Sequence, residues 1–173
     1  MNVLETDRLT LRRITTDDAP VILALVNDPA WLENIGDRGV RTLDDARAYI
    51  EKGPVAMYQR CGFGLYLAVR KADGAAIGMA GLIKRDTLDD VDVGFAFFPE
   101  YRGHGYAYEA AAAVVAYGKR VLGLERIVAI TSPTNARSIK VLEKVGLVFE
   151  RSLGKSPEGL HTWLFGPPLT ELE

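Results

Sequence analysis

The chain has 173 residues, 48% hydrophobic and 25% charged, the balance of a folded globular chain of one domain, 1–173, and not of a disordered one. Lys and Arg total 21 against 23 Asp and Glu, and a net charge of −2 gives no basic footprint for nucleic acid. A single cysteine, Cys61, excludes an internal disulfide and any multi-cysteine metal site, and two histidines without ligand spacing argue against a metal altogether. No apolar run approaches the roughly 20 residues that span a bilayer. Met1 to Arg8 carries acids where a signal peptide needs its apolar segment. The expectation is a cytoplasmic enzyme or binding module, monomer or homodimer, with neither a membrane nor a nucleic acid as partner.

In chain order, Leu9 to Ile14 alternates as a strand, and Thr15-Thr16-Asp17-Asp18 offers caps for a helix running to about Val26 and breaking at Asp28-Pro29. Thr42 caps a second helix, Leu43 to Lys52, stopped by Gly53-Pro54. Phe63, Leu65, Leu67 and Val69 alternate with Gly64, Tyr66 and Ala68 up to Asp73-Gly74, a hairpin turn, and Ala76 to Ile83 returns. A polar turn, Arg85 to Asp90, leads into a third strand of this meander, Val91 to Phe98. Tyr106 to Leu122 is alanine-rich and apolar nearly all round, so it predicts a buried helix on the sheet. Glu125 to Thr131 reads as a strand, Arg137 to Val145 as a helix closed by Gly146, then Leu147 to Arg151 and about His161 to Phe165 as strands. The change from meander to β-α-β order predicts an α/β fold of the α+β type, with a mixed, mostly antiparallel sheet.

The chemistry concentrates where the third strand meets the buried helix, Phe97-Phe98-Pro99-Glu100-Tyr101-Arg102-Gly103-His104-Gly105-Tyr106-Ala107. Free backbone N–H groups and the helix dipole make such a junction a site for a pyrophosphate or another anion; a plain tight turn is the other reading. G-x-x-x-x-G-K-[ST] is missing, and the glycine spacing is not G-x-G-x-x-G, so neither a Walker loop nor a dinucleotide fold is indicated.

Here the sequence resembles a family. Arg102-Gly103-His104-Gly105-Tyr106-Ala107 fits the [QR]-x-x-G-x-[GA] acetyl-CoA pyrophosphate loop of the GNAT superfamily of N-acetyltransferases. Thr134 to Ile139, followed by Glu143 to Leu147, is similar to its next motif. Glu5 to Arg12 is similar to the opening strand of its ribosomal-protein N-terminal acetyltransferase (RimJ/RimL-like) branch. The three motifs stand in the family's order and cover essentially the whole chain. The resemblance implies a sheet splayed in its middle, with helices on both faces. It implies a gap that takes the pantetheine arm of acetyl-CoA against the backbone of Phe97 and Phe98, near which a bulge is expected. The coenzyme would be held by Phe97, Phe98, Arg102, Gly103, His104, Gly105, Tyr106, Ala107, Asn135, Arg137 and Lys140.

Asp92, Gly94, Ala96 and Phe98 share one strand face, an acid followed by small residues. Asp92 is either a base beside a cleared face or a solvated acid after the Asp89-Asp90 turn; the family often keeps a general base, a Glu, at this position. Ser138 shares a helix face with Leu142 and Val145. It either back-bonds to the Thr134 carbonyl or, as the resemblance implies, lies near the coenzyme sulfur. Val141 stands where many members carry a tyrosine as the acid toward the thiolate, which leaves that role to Ser138 or solvent. Positions 119–144 hold six basic residues against two acids, an excess able to attract phosphates. The acceptor should meet residues 28–60 together with Tyr66 and Trp163; within that set Trp31 and Glu33 are the leading candidates. The resemblance favours a protein or peptide N-terminal amine. A small amine (polyamine, amino-sugar antibiotic or toxin) and a non-catalytic acyl-CoA-binding sensor are the alternatives.

Overall fold

The computed structural model describes residues 1–157 and 159–168. Eight strands form one sheet in the order β1-β2-β3-β4-β5-β6-β8-β7. β1 (Asn2–Glu5), β2 (Leu9–Arg13), β3 (Leu65–Arg70), β4 (Ala76–Ile83) and β5 (Val91–Phe97) are antiparallel neighbours. β6 (Ile127–Thr131) runs parallel to β5, and β8 (His161–Gly166) and β7 (Val148–Lys155) complete the second half antiparallel. The expected mixed, mostly antiparallel sheet is therefore present.

Helices cover both faces. On one lie α1 (Ala19–Val26), α2 (Pro29–Asn34) and α3 (Leu43–Ile50), with Ile22, Leu25, Trp31, Ala46 and Ile50 packed on Leu67 and Met79 of the sheet, and α4 (Ala56–Cys61) follows, its Tyr58 packed with the second layer. On the other lie α5 (Tyr106–Arg120) and α6 (Ala136–Val145), with Ala110, Ala111, Val114 and Leu142 packed among Tyr66, Ala80, Leu82 and Val93. Strand alternation decides which side chain goes where: Leu67 and Met79 face the first layer, Tyr66 and Ala80 the second. α5 settles closely because Gly118 has no side chain; a Cβ there would stand 2.7 Å from Ile127 Cδ1.

Local chemistry explains the element ends. Thr42 Oγ1 accepts from the Asp45 N–H (3.0 Å) and Asp45 from the Thr42 N–H (3.2 Å), a reciprocal box that starts α3. Asp28-Pro29, expected as a break, instead begins α2: Asp28 Oδ2 accepts from the Ala30 N–H at 3.1 Å, and Pro29 takes the first helical position. Gly53-Pro54, expected as a stop, lies within a π turn, Glu51–Val55, that joins α3 to α4. Pro54 has no N–H for an α-helical bond, and one widened turn absorbs the loss, the Ala56 N–H reaching back to the Glu51 carbonyl. Among the described residues, no helix is long and apolar enough to cross a membrane.

Candidate active site

β5 and β6 share only two rungs, Val91↔Ile127 and Asp92↔Val128, before β6 turns away to pair with β8 through Ala129↔Phe165, Ile130↔Leu164 and Thr131↔Trp163. The sheet opens into a V from that point. At its closed end Arg126 Nε donates to Asp90 Oδ2 at 3.0 Å and its Nη2 donates to Glu150 of β7, so one side chain bridges both halves. A cavity of about 650 Å³ fills the opening. It is lined by Asp92 to Ala96 of β5, by Ile130, Thr131 and Ser132, and by Asn135, Ser138 and Leu142 around α6. It continues under the opposite helical layer, to Trp31, Asn34, Ile35, Arg38, Tyr49, Pro54 and Met57.

Asp92 stands at the apex of the V, just 1% exposed. It is not the solvated acid of the alternative reading. Its Oδ1 accepts from Arg85 Nε at 2.9 Å, and Arg85, on the β4–β5 connection, lines the same cavity. Burial pushes the Asp92 carboxyl above the ordinary carboxylate range, while the charge and hydrogen bond of Arg85 oppose that rise. Gly94 and Ala96, on the same face, keep the floor beside it low.

Ser138 lies half-buried in the first turn of α6 and faces the cavity; its backbone N–H donates to Asn135 Oδ1 (3.2 Å), the cap of that helix. Asn135 thus both starts α6 and lines the gap. Arg137 and Lys140 point to solvent on the exposed side of α6.

The strand-to-helix junction folds as a short 3-10 turn, Pro99–Tyr101, followed by Arg102 to Gly105 and then α5. Gly105 (φ +83°) is the N-terminal cap, in a conformation that a residue with a Cβ rarely adopts. His104 is exposed beside it, whereas the Tyr106 ring is buried under the Arg8 guanidinium, 4.2 Å from its centroid. Arg8 Nε also meets Glu109 Oε1 at 2.7 Å, so the β1–β2 turn braces the first turn of α5. The Arg102 side chain is engaged within the protein, its Nη2 donating to Asp28 Oδ2 (3.2 Å) and to the Phe97 carbonyl (3.1 Å).

Several expectations need correction. The bulge near Phe97 and Phe98 is not found: β4 and β5 keep one register from Gly78↔Phe97 to Ile83↔Asp92, and the splay arises from the departure of β6. The Phe98 N–H donates to the Ile77 carbonyl (3.0 Å), so Phe98 turns to β4, and by alternation the groups of Phe97, Phe95 and Val93 face the gap. With the Phe97 carbonyl held by Arg102, Phe95 becomes the main open backbone pair at that edge. Tyr66 is 1% exposed, stacked on Tyr58 with centroids 5.7 Å apart, on the sheet face that α5 covers; burial pushes its hydroxyl up to about 12. Trp163 packs edge-on against Phe149 (4.8 Å) and lines a separate shallow groove with Ile139 and Phe165, while its neighbour Thr162 lines the cavity. Glu33 is exposed on α2, and Asn34 lines the cavity instead. Trp31 does line it. It is 6% exposed, and its indole Nε1 is, among the described residues, the one buried side-chain polar atom without a hydrogen-bond partner. Sequence reasoning missed Arg85 and Met57, both of which line the cavity. Arg85 carries a signal, a cation seven residues before an acid across a turn, whereas Met57 carries none.

A family description, the acetyltransferase (GNAT) domain, matches residues 8–148, and the chain belongs to this family. Among curated relatives, the uncharacterized N-acetyltransferase YoaA of Bacillus subtilis is 31% identical over 148 residues, 83% of this chain and 81% of that protein. YnaD of the same organism is 28% identical over 161 residues, 92% of this chain and 91% of its own length. The fold is similar to that of RimL, a ribosomal alpha-N-protein acetyltransferase solved with coenzyme A (TM-score 0.81, 16% identity, 96% of this chain and 97% of that one). It is also similar to a chimera of the spermidine N-acetyltransferase SpeG from Vibrio cholerae (TM-score 0.76, 17% identity, 95% of this chain and 98% of that one). The protein is an acetyltransferase with N-acetyltransferase activity.

Proposed function

We propose that the chain, as a single domain over 1–173, transfers the acetyl group of acetyl-CoA directly to the N-terminal amine of a protein or peptide. The observation that carries this reading is a buried carboxylate, Asp92, at the apex of a gap that runs through the sheet. Bound acetyl-CoA supplies an acetyl thioester, an acyl donor with a good leaving group. The residues present fit it: unpaired backbone groups at Phe95, the exposed N-terminus of a fifteen-residue helix at Gly103 to Ala107, and Asn135 with Ser138 across the gap. Arg102 acts by shaping the loop through Asp28 and the Phe97 carbonyl, so the phosphates meet backbone N–H groups more than its guanidinium. Arg137 and Lys140 add positive charge on the outer side of α6.

Asp92 Oδ2 accepts the proton that the amine loses as the new N–C bond forms, and a burial-raised carboxyl is a better base for this than an ordinary one. The C–S bond breaks with its electrons on sulfur, and the Ser138 Oγ holds a proton for that thiolate, replaced from solvent. The branch resemblance at Glu5 to Arg12 and the likeness to RimL support a protein or peptide acceptor. The test is thiol release from acetyl-CoA with a peptide panel. Asp92→Asn is expected to lower turnover at neutral pH by about 10²–10⁴-fold with coenzyme affinity unchanged. Turnover within a few-fold of wild type would remove Asp92 as the base, and coenzyme binding without thiol release from any amine would make the protein a sensor.

A further inference from the structure

The half of the cavity that lies under α2, the π turn and α4 has a distinctive wall. Trp31, Ile35, Pro54 and Met57 face Leu65 and Met79 of the sheet, all of them lining residues. The floor beside Asp92 is equally apolar: a Cβ built on Gly94 would stand 3.3 Å from Ile83 Cδ1 and 3.7 Å from Leu65 Cδ2. Charge points the same way. Among the described lining residues, Arg38, Arg85 and Lys155 stand against Asp86 and Asp92, and Asp92 is already ion-paired with Arg85. A polycation entering here would lose hydration without finding a surplus of carboxylates, a costly exchange.

We propose that the acceptor is a primary amine attached directly to a large apolar group, the group lying on the Trp31–Met57–Met79 wall while the nitrogen reaches Asp92. This deepens the acetyltransferase reading above and rests on it. Two sources share the chemistry, a peptide whose first residue is large and apolar and a small arylalkyl amine. The peptide acceptor proposed above favours the first source, and the second is an outcome of the test below.

Thiol release by the wild-type protein, with acceptors compared at equal concentration, tests this. Peptides differing only in a first residue of Leu, Phe, Ser or Asp are run beside phenethylamine, spermidine and an amino-sugar. The expected result is a kcat/KM for the Leu and Phe peptides at least about tenfold above the Ser and Asp peptides, with spermidine and the amino-sugar lowest. A phenethylamine rate above every peptide keeps the class and assigns the source to small amines. Met57→Glu, checked for an unchanged melting temperature, is expected to bring the Leu-to-Ser ratio toward one through the KM of the Leu peptide. The proposal is overturned if spermidine or the amino-sugar leads the panel, or if the wild-type Leu-to-Ser ratio is near one. Silence across all acceptors, in protein that still binds acetyl-CoA by calorimetry, overturns the transferase reading itself and this inference with it.

Discussion

Arg85 holds one oxygen of Asp92 and leaves the other to the cavity, so its cation steers the carboxylate and at the same time restrains its basicity. Arg85→Ala is therefore expected to raise the Asp92 pKa further. The acid limb of kcat/KM should move up by about one pH unit or more, since a cation at hydrogen-bond distance lowers a carboxyl by about 1–3 units. Arg85→Lys should recover part of the shift, and a limb that stays in place would mean that Arg85 serves the acceptor or the loop. Ser138 gives a second test at this scale. A thiol of pKa about 8.5 leaves fairly well unaided, so Ser138→Ala should cost roughly tenfold to a hundredfold in kcat, with a nearly unchanged melting temperature. Wild-type kcat in that variant would show solvent protonating the sulfur. The residues misplaced by sequence reasoning share one cause. Tyr66, Trp163 and Glu33 each stand next to a residue that does line the cavity (Leu65, Thr162 and Asn34): one position changes the face on the strands of Tyr66 and Trp163, and turns the side chain by about 100° on the helix of Glu33. The alternation that puts Leu67 under α3 already sends Tyr66 to the other side; the aromatic type drew the assignment and the parity decided the outcome.

Elements were legible where their punctuation was unambiguous and less so where one residue type serves two purposes. Thr42, Asp73-Gly74 and Gly146 marked a helix start, a hairpin and a helix end that the structure shows. Asp28-Pro29 and Gly53-Pro54 were read as breaks because proline ends helices, yet proline also opens them and is tolerated in a widened turn. β1 gave too short and too mixed a pattern to stand out; its pairing with β2 and the brace from Arg8 to Glu109 depend on the tertiary fold. The α5 junction was legible because its glycines carry a conformational demand. Gly105→Val would place a β-branched residue at φ +83° with its Cβ 3.4 Å from Arg8 Nη2, distorting the start of α5. The expected outcome is at least a tenfold loss of acetyl-CoA affinity by calorimetry in protein that still folds. Unchanged affinity would detach the pyrophosphate from this loop.

At the scale of the whole molecule, the sheet is two antiparallel blocks joined by two parallel rungs and one arginine clamp. A ligand laid between β5 and β6 supplies hydrogen-bond partners to both blocks where the chain supplies none to itself. Acetyl-CoA at about 100 times its Kd is expected to stabilise the fold by about 2.7 kcal/mol, a rise of roughly 5–10 °C in Tm for a chain of this length. A shift below about 1 °C at that saturation would place the coenzyme elsewhere. The mixed sheet follows from the order of strand and helix signals, but its splay does not, because nothing in β6 itself reports that it will part from β5 after two rungs and continue beside β8 on its other edge. One consequence of the gap concerns traffic. The cavity reaches both helical layers, α2 to α4 on one side and α6 on the other, so the sheet is pierced from face to face. On the function proposed above, the two substrates would use separate doorways on opposite sides of the sheet. Each product can retreat the way its precursor arrived, and neither has to queue behind the other.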